Sequence, residues 1–231
     1  MSAVSGERWS VFQPAKLELL PCLGQAPRFS AHRSENKQQE YLPLSNLLAS
    51  LTNLDLTDRP EEAGFRSRML TLLGSTPECF QRSCFPAHFT GSALVVDAHG
   101  ARALLHHHRK LDKWLPFGGH CDGDENVLRV AQREALEESG IEGLVVASPR
   151  PFDLDIHTIP ARGAEPEHGH FDVRWMLIAP ENAQFRQSEE SLELRWFTPE
   201  EMASLALTRG NRRLLAKWSA ILARRSHAAG A

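Results

Sequence analysis

The chain has 231 residues, 42% of them hydrophobic and 24% charged, enough to bury a core in one large domain or in a domain with a helical appendage. A formal net charge of −3 at pH 7 excludes the strong basic field of tight, non-specific nucleic-acid binding, so any affinity for phosphate must be local. Four cysteines, Cys22, Cys79, Cys84 and Cys121, form no C-x-x-C pair, which argues against a disulfide framework or a cysteine zinc site and fits a reducing cytoplasm.

The N-terminus lacks a charged head followed by an apolar stretch and a small-residue cleavage site, and no apolar run approaches membrane-spanning length. The expectation is a soluble, cytoplasmic protein with no membrane partner. Residues 1–40 hold no helical or strand period beyond a short cluster at Leu17, Leu19 and Leu20, and read as a loosely ordered extension. A helical appendage is expected over 41–88. Leu44, Leu47, Leu48, Leu51 and Leu54 share one face, and Phe65, Met69 and Leu72 share another after start signals at Asp58 and Pro60.

From about residue 89 the period changes. Thr90 to Asp97 and Arg102 to His107 are β-type runs flanking a loop that contains Gly100, which predicts a hairpin. Further strands are expected at Leu144 to Ala147, Phe152 to Ile159, Phe171 to Ile178 and Leu192 to Phe197. One strong helix is expected from Val127 to Ser139, stopped by Gly140, where glycine accepts a left-handed cap. A final helix is marked by Leu214, Leu215, Trp218, Ile221 and Leu222. Strands interspersed with helices imply a layered α/β architecture over residues 89–225.

The chemistry concentrates in Gly119 to Ile141, GHCDGDENVLRVAQREALEESGI. Glu134 and Glu138 are four apart and Glu137 is three from Glu134, so on a helix all three project to one side. Like charges crowded together are tolerable when cations sit among them, and carboxylate oxygens suit Mg²⁺ or Mn²⁺. An ordinary solvated face is the alternative, although the helix dipole disfavours acids in a C-terminal half.

The rest of the segment resembles the signature of the Nudix hydrolase family, at Gly119, Glu125, Arg133, Glu134, Ala135, Glu137, Glu138, Gly140 and Ile141. Ala135 stands where a larger aliphatic is usual, and every polar position is intact. The preceding Trp114 to Gly118 resembles the family's approach to this box, and Leu192 to Met202 resembles its late strand leading into a helix. The resemblance implies an α/β/α sandwich around a mixed β-sheet. It also implies a metal-dependent pyrophosphohydrolase that cleaves a diphosphate linkage in a nucleoside diphosphate derivative by water attack on phosphorus.

By the same resemblance, Glu134, Glu137 and Glu138 hold Mg²⁺ or Mn²⁺, joined by the backbone of Gly119. Arg133 orients a glutamate, and Glu125 steadies the loop. Glu134 is one proton acceptor, and Glu190, beside Glu189 in the loop before the late strand, is another candidate for base or extra ligand. Lys113, Lys110 and Arg109 could neutralise substrate phosphate, or be solvated residues beside a turn.

A second cluster lies outside that box. His168, His170, Asp172 and Arg174 alternate with apolar neighbours, as do Asp153, Asp155 and His157, so each strand carries a polar face. Pairing of the two strands across residues 160–167 would bring His157 to the His168/His170 pair. Such a set suits a further transition-metal site or contact with substrate through His157, His168, His170 and Asp172; a half-exposed polar sheet face is the plain alternative. His106, His107 and His108 have weaker claims, because consecutive strand residues point to opposite faces, and the role of His120 is open.

Two other functional readings compete. An isomerase of prenyl diphosphates is related in fold, but the intact glutamates and the absence of an isomerase cysteine context favour hydrolysis. A ligand sensor without turnover would show substituted box glutamates, and none is substituted. The downstream tyrosine of dinucleoside polyphosphate enzymes, the proline of ADP-ribose enzymes and the coenzyme A signature are all missing at their usual spacings. A homodimer is compatible with all of this.

Overall fold

The computed structural model describes residues 47–229. The expectations for residues 1–40, together with Leu44 and the start of the helical appendage, lie outside the described residues. Two helices open the described chain, α1 (Leu47–Thr52) and α2 (Pro60–Ser75). Proline in the first turn of α2 suits a position whose N–H has no helical partner, and Glu61 and Glu62 follow where the helix dipole favours acids. Leu47, Leu51 and Met69 are buried, while Leu48, expected on the same face, is half exposed. Helix α1 has only six residues, too few to bury so wide a stripe.

The long central strand is β1 (Ala87–Val96). It is followed by β2 (Ala103–His108), β3 (Lys113–Leu115) and β4 (Phe117–His120), then helix α3 (Val127–Ser139). After these come β5 (Val145–Val146), β6 (Asp153–Ile159), β7 (His168–Ile178), β8 (Ser191–Phe197), α4 (Pro199–Ala203) and α5 (Arg209–Ala229). All eight strands join one mixed sheet. Strand β7 runs parallel to β1 along its whole length, from Ala87↔Gly169 to Val96↔Ile178. On its other side β1 pairs with β4 through its middle, Thr90 to Ala93, and with β2 at its end.

Both faces of the sheet are covered, which explains why its central strands are buried nearly throughout. On one face Phe89, Ala93, Val95, Phe117, Val173 and Trp175 pack with the buried side of α3 and with α1 and α2. On the other, Leu94, Val96, Leu105 and Phe197 meet Leu214 and Trp218 of α5. Helix α3 starts where Asn126 accepts a hydrogen bond from the Arg129 amide and ends at Gly140, whose φ is 67°. It lies so close to β1 that a Cβ on Gly91 would stand 2.6 Å from the Val127 carbonyl oxygen. Ala135, also small, is fully buried in that packing.

On the polar faces of β6 and β7, the aspartates and Arg174 form a buried ion network rather than the half-exposed sheet face that was the plain alternative. Arg174 reaches Asp172 at 2.6 Å, Asp155 at 2.9 Å and Asp153 at 3.4 Å. From α5, Arg213 grips Asp153 and Asp155 at 2.9 and 2.7 Å, and Lys217 bridges Asp153 and Glu62 at 3.0 and 2.6 Å. Gly210 allows α5 this approach, since a Cβ there would meet the Asp155 carboxylate at 2.7 Å. Among the described residues, no helix is long and apolar enough to cross a membrane.

Candidate active site

The expected box residues meet where β4 leads through a loop into α3. Gly119 needs to be glycine because the Glu134 carboxylate lies against its Cα, and a Cβ would come within 2.6 Å of it. Arg133 holds that carboxylate at 2.9 Å, donates to the His120 carbonyl at 3.0 Å and reaches Glu137 at 3.6 Å. The loop itself is tied by Asp124, which accepts from the Asn126 amide and takes both ends of the Arg129 guanidinium at 2.7 Å. Glu125, expected to steady the loop, is exposed and makes none of these bonds.

Glu138 is buried and accepts a hydrogen bond from the Gly118 amide at 3.0 Å. Burial pushes its pKa up to about 8, and the charges of Glu134, Glu190 and Glu137 add to the rise although the Gly118 bond opposes it. The Glu134 pKa is also raised, by burial first and by Glu137 and Glu190 after the opposing Arg133. His106 stands 3.8 Å from Glu138 and hydrogen-bonds Ser191 at 3.0 Å. Burial lowers its pKa to about 4, so the imidazole is uncharged at pH 7 and the contact with Glu138 is not an ion pair. His106 therefore faces the glutamates, while His107 stacks on Trp114.

The three carboxylates do not converge as tightly as the helical spacing suggests. Among the described residues, the trio of His, Cys, Asp or Glu ligand atoms that lie within 4.8 Å of one another is His88, His168 and His170. Like charges repel, and the local contacts divide the glutamates: Arg133 draws Glu134 and Glu137, and Glu138 turns to Gly118. The donor set nevertheless suits a hard divalent cation, because partly desolvated carboxylates penalised for their charge are relieved by one.

Glu190 is exposed, and its charge acts on both Glu134 and Glu138. Its loop is braced by Arg109, whose side chain donates to the carbonyls of Glu189 and Ser191 at 2.9 and 3.1 Å. Arg109 is thus occupied as a brace. Lys110 and Lys113 are exposed beside the β2–β3 turn. Asp172, expected to meet substrate, is buried and accepts from Thr90 at 3.0 Å, Ser92 at 2.7 Å and Arg174 at 2.6 Å, which commits it to the fold. His157 pairs across strands with His170 as expected. Two members of that cluster, His88 and His120, come from β1 and β4; the sequence pattern gave no signal for His88.

The model of the NUDIX domain matches residues 86–218, more than half of the chain. The chain belongs to the NUDIX family. Over 94 residues it is 30% identical to the mouse (Mus musculus) bis(5'-nucleosyl)-tetraphosphatase [asymmetrical], a stretch covering 40% of this chain and 60% of that protein. Among solved structures, a C. elegans Ap4A hydrolase in a binary complex matches with a TM-score of 0.49 and 23% identity, covering 58% of this chain and 97% of that one. A NUDIX-family hydrolase from Clostridium perfringens matches with a TM-score of 0.43 and 24% identity, over 58% and 97% of the two chains.

Proposed function

We propose that the protein hydrolyses a diphosphate linkage in a nucleoside diphosphate derivative, with Mg²⁺ or Mn²⁺ held by Glu134, Glu137, Glu138 and the Gly119 backbone. The observation that carries this reading is the apposition of Glu134 to Gly119, with Arg133 fixing the carboxylate and Glu138 buried one turn further on. Bound divalent ions would neutralise charge on the phosphates and lower the pKa of a coordinated water. The water oxygen forms the new bond to phosphorus, the bridging P–O bond breaks, and the leaving phosphate departs with the bond's electron pair.

The water's proton needs an acceptor. Glu190 suits that task, because its exposed carboxylate lies near the cluster while Glu134 is engaged by Arg133. Arg133 positions Glu134, and Lys113 and Lys110 supply positive charge for the departing phosphate. The mouse relative's name supports a nucleotide substrate, and the family resemblance supports hydrolysis over isomerisation.

Nucleotide sugars, dinucleotides, nucleoside triphosphates and a prenyl diphosphate, each with Mg²⁺ and with Mn²⁺ in ¹⁸O-labelled water, test this reading. The expected result is cleavage of a nucleoside diphosphate derivative with one ¹⁸O in a phosphate product. Isomerised prenyl diphosphate without cleavage, or tight binding without turnover across the panel, would refute it.

A further inference from the structure

Five histidines meet at one end of the sheet: His88 and His120 from β1 and β4, His168 and His170 from β7, and His157 from β6. The ring centroid of His88 lies 4.9 Å from that of His168, 5.0 Å from that of His170 and 5.2 Å from that of His120. His120 and His157 flank His170 at 5.0 and 5.4 Å. Gly91 and Gly119 face α3, so His88 and His120, one or three residues along their strands, point to the opposite side of the sheet. The cluster is therefore separate from the glutamates.

The hydrogen bonds around it fix the tautomers. His88 Nδ1 lies 3.1 Å from the Cys84 carbonyl oxygen and His168 Nδ1 lies 2.9 Å from that of Pro166. A carbonyl can only accept, so both Nδ1 atoms carry hydrogen and both Nε2 atoms present lone pairs. An N–H held by a backbone carbonyl is the usual support of a metal-bound imidazole. His88 is fully buried and its Nε2 has no hydrogen-bond partner, which is costly for a group aimed at other imidazoles. His120 Nε2 is also buried without a partner.

The spacing matches a coordination sphere. His168 Nε2 and His170 Nε2 are 3.3 Å apart, and the ligand atoms of His88, His168 and His170 all lie within 4.8 Å of one another. Two imidazole nitrogens on a tetrahedral Zn²⁺, each at about 2.0–2.1 Å, stand roughly 3.3–3.4 Å apart. A direct hydrogen bond between His168 and His170 would satisfy those two nitrogens and still leave the one on His88 empty. Burial disfavours the charged form of His88 and of His170, which keeps their lone pairs available.

We infer that His88, His168 and His170 form a second metal site, for one zinc-like transition-metal ion bound through Nε2 of each ring. Glu165, whose Oε1 is 3.9 Å from His168 Nε2, or a water completes the four ligands. Imidazole selects zinc-type ions, whereas the glutamates opposite select Mg²⁺ or Mn²⁺. The ion clips the start of β1 to the start of β7, strands that pair in parallel and are distant in sequence. The site stands independently of the hydrolytic reading.

The test uses the full chain stripped with a chelator, with ¹⁵N resonances of the imidazoles followed as Zn²⁺ is added in excess Mg²⁺. The expected result is one equivalent bound. The Nε2 resonances of His88, His168 and His170 shift together while the Nδ1–H signals of His88 and His168 persist. With Co²⁺ as probe, the visible bands of a tetrahedral ion appear at one equivalent, survive in Glu138→Gln and are lost in His168→Gln and His88→Gln. Displacement of Zn²⁺ by Mg²⁺, or unmoved resonances of these three rings, overturns the proposal. The measurement on the unaltered chain decides the matter even where a variant fails to fold.

Discussion

Replacing Arg174 by methionine probes the ion network that seats α5 on the sheet. Arg174 is 6% exposed and touches three carboxylates, at 2.6, 2.9 and 3.4 Å. Methionine keeps much of the volume and leaves Arg213 and Lys217 to balance Asp153 and Asp155, while Asp172 retains the hydroxyls of Thr90 and Ser92. Removing one partner of a buried charge group costs about 3–5 kcal/mol. In a domain of this size that corresponds to a fall in Tm of roughly 6–20 °C.

The effect has a pH signature. Burial would raise the Asp155 pKa, but the hydrogen bond with His157, the charge of Arg174 and the hydrogen bond from Arg213 outweigh it and hold the group below its ordinary value of 3.8. A depressed carboxylate stabilises the fold above its unfolded pKa and loses that contribution as pH falls through the folded value. The gap between wild type and Arg174→Met is therefore widest near neutrality and narrows below about pH 4. Urea unfolding at pH 7, 5 and 3.5 measures it. A loss under about 1 kcal/mol at pH 7, or a gap that does not change with pH, would refute the reasoning.

Three further outcomes are expected. Gly119→Ala should leave Tm within a few degrees, because the Glu134 side chain can give way to the new methyl, yet lower kcat at least about tenfold by displacing that carboxylate; paired assays of melting and turnover check this. Arg133→Ala should weaken metal-dependent turnover by about 10–100-fold, as loss of a positioning partner commonly does, with the metal concentration for half-maximal rate rising in the same assay. Gly91→Ala should destabilise the fold by about 1–3 kcal/mol in chemical denaturation, since its Cβ would press on the backbone of α3 rather than on a flexible tip.

Local rules carried a good deal of this molecule. The bounds Val127–Ser139 and the left-handed Gly140 follow from an Asn cap, an apolar stripe and a glycine stop, all within one segment. The same holds for the pairing of His157 with His170, which two alternating strands and one loop dictate. Strands β3 and β4 escaped because they are only three and four residues long, are split by Pro116 and contain Gly118 and Gly119; their pairing comes from β1 and β2.

The unread parts depend on tertiary contacts. His88 sits at the edge of β1 with no periodic partner in sequence, and only the parallel register with β7 sets it beside His170. Arg213, Lys217 and Glu62 lie on helices whose sequence gives no hint that they turn a polar strand face into a buried one. Within the glutamate cluster, the helical period set the side but not the side-chain directions, which Arg133 and Gly118 decide.

The most direct measurement is Mn²⁺ uptake by wild type and Glu138→Gln, read by electron paramagnetic resonance with Mg²⁺ as competitor, alongside turnover of whichever nucleotide substrate the panel yields. The expected result is Mg²⁺-competable binding in wild type, weakened at least about tenfold in the variant, with kcat lower by orders of magnitude and an unchanged fold by circular dichroism. Equal Mn²⁺ binding and near-normal turnover in Glu138→Gln would contradict a metal site built on α3.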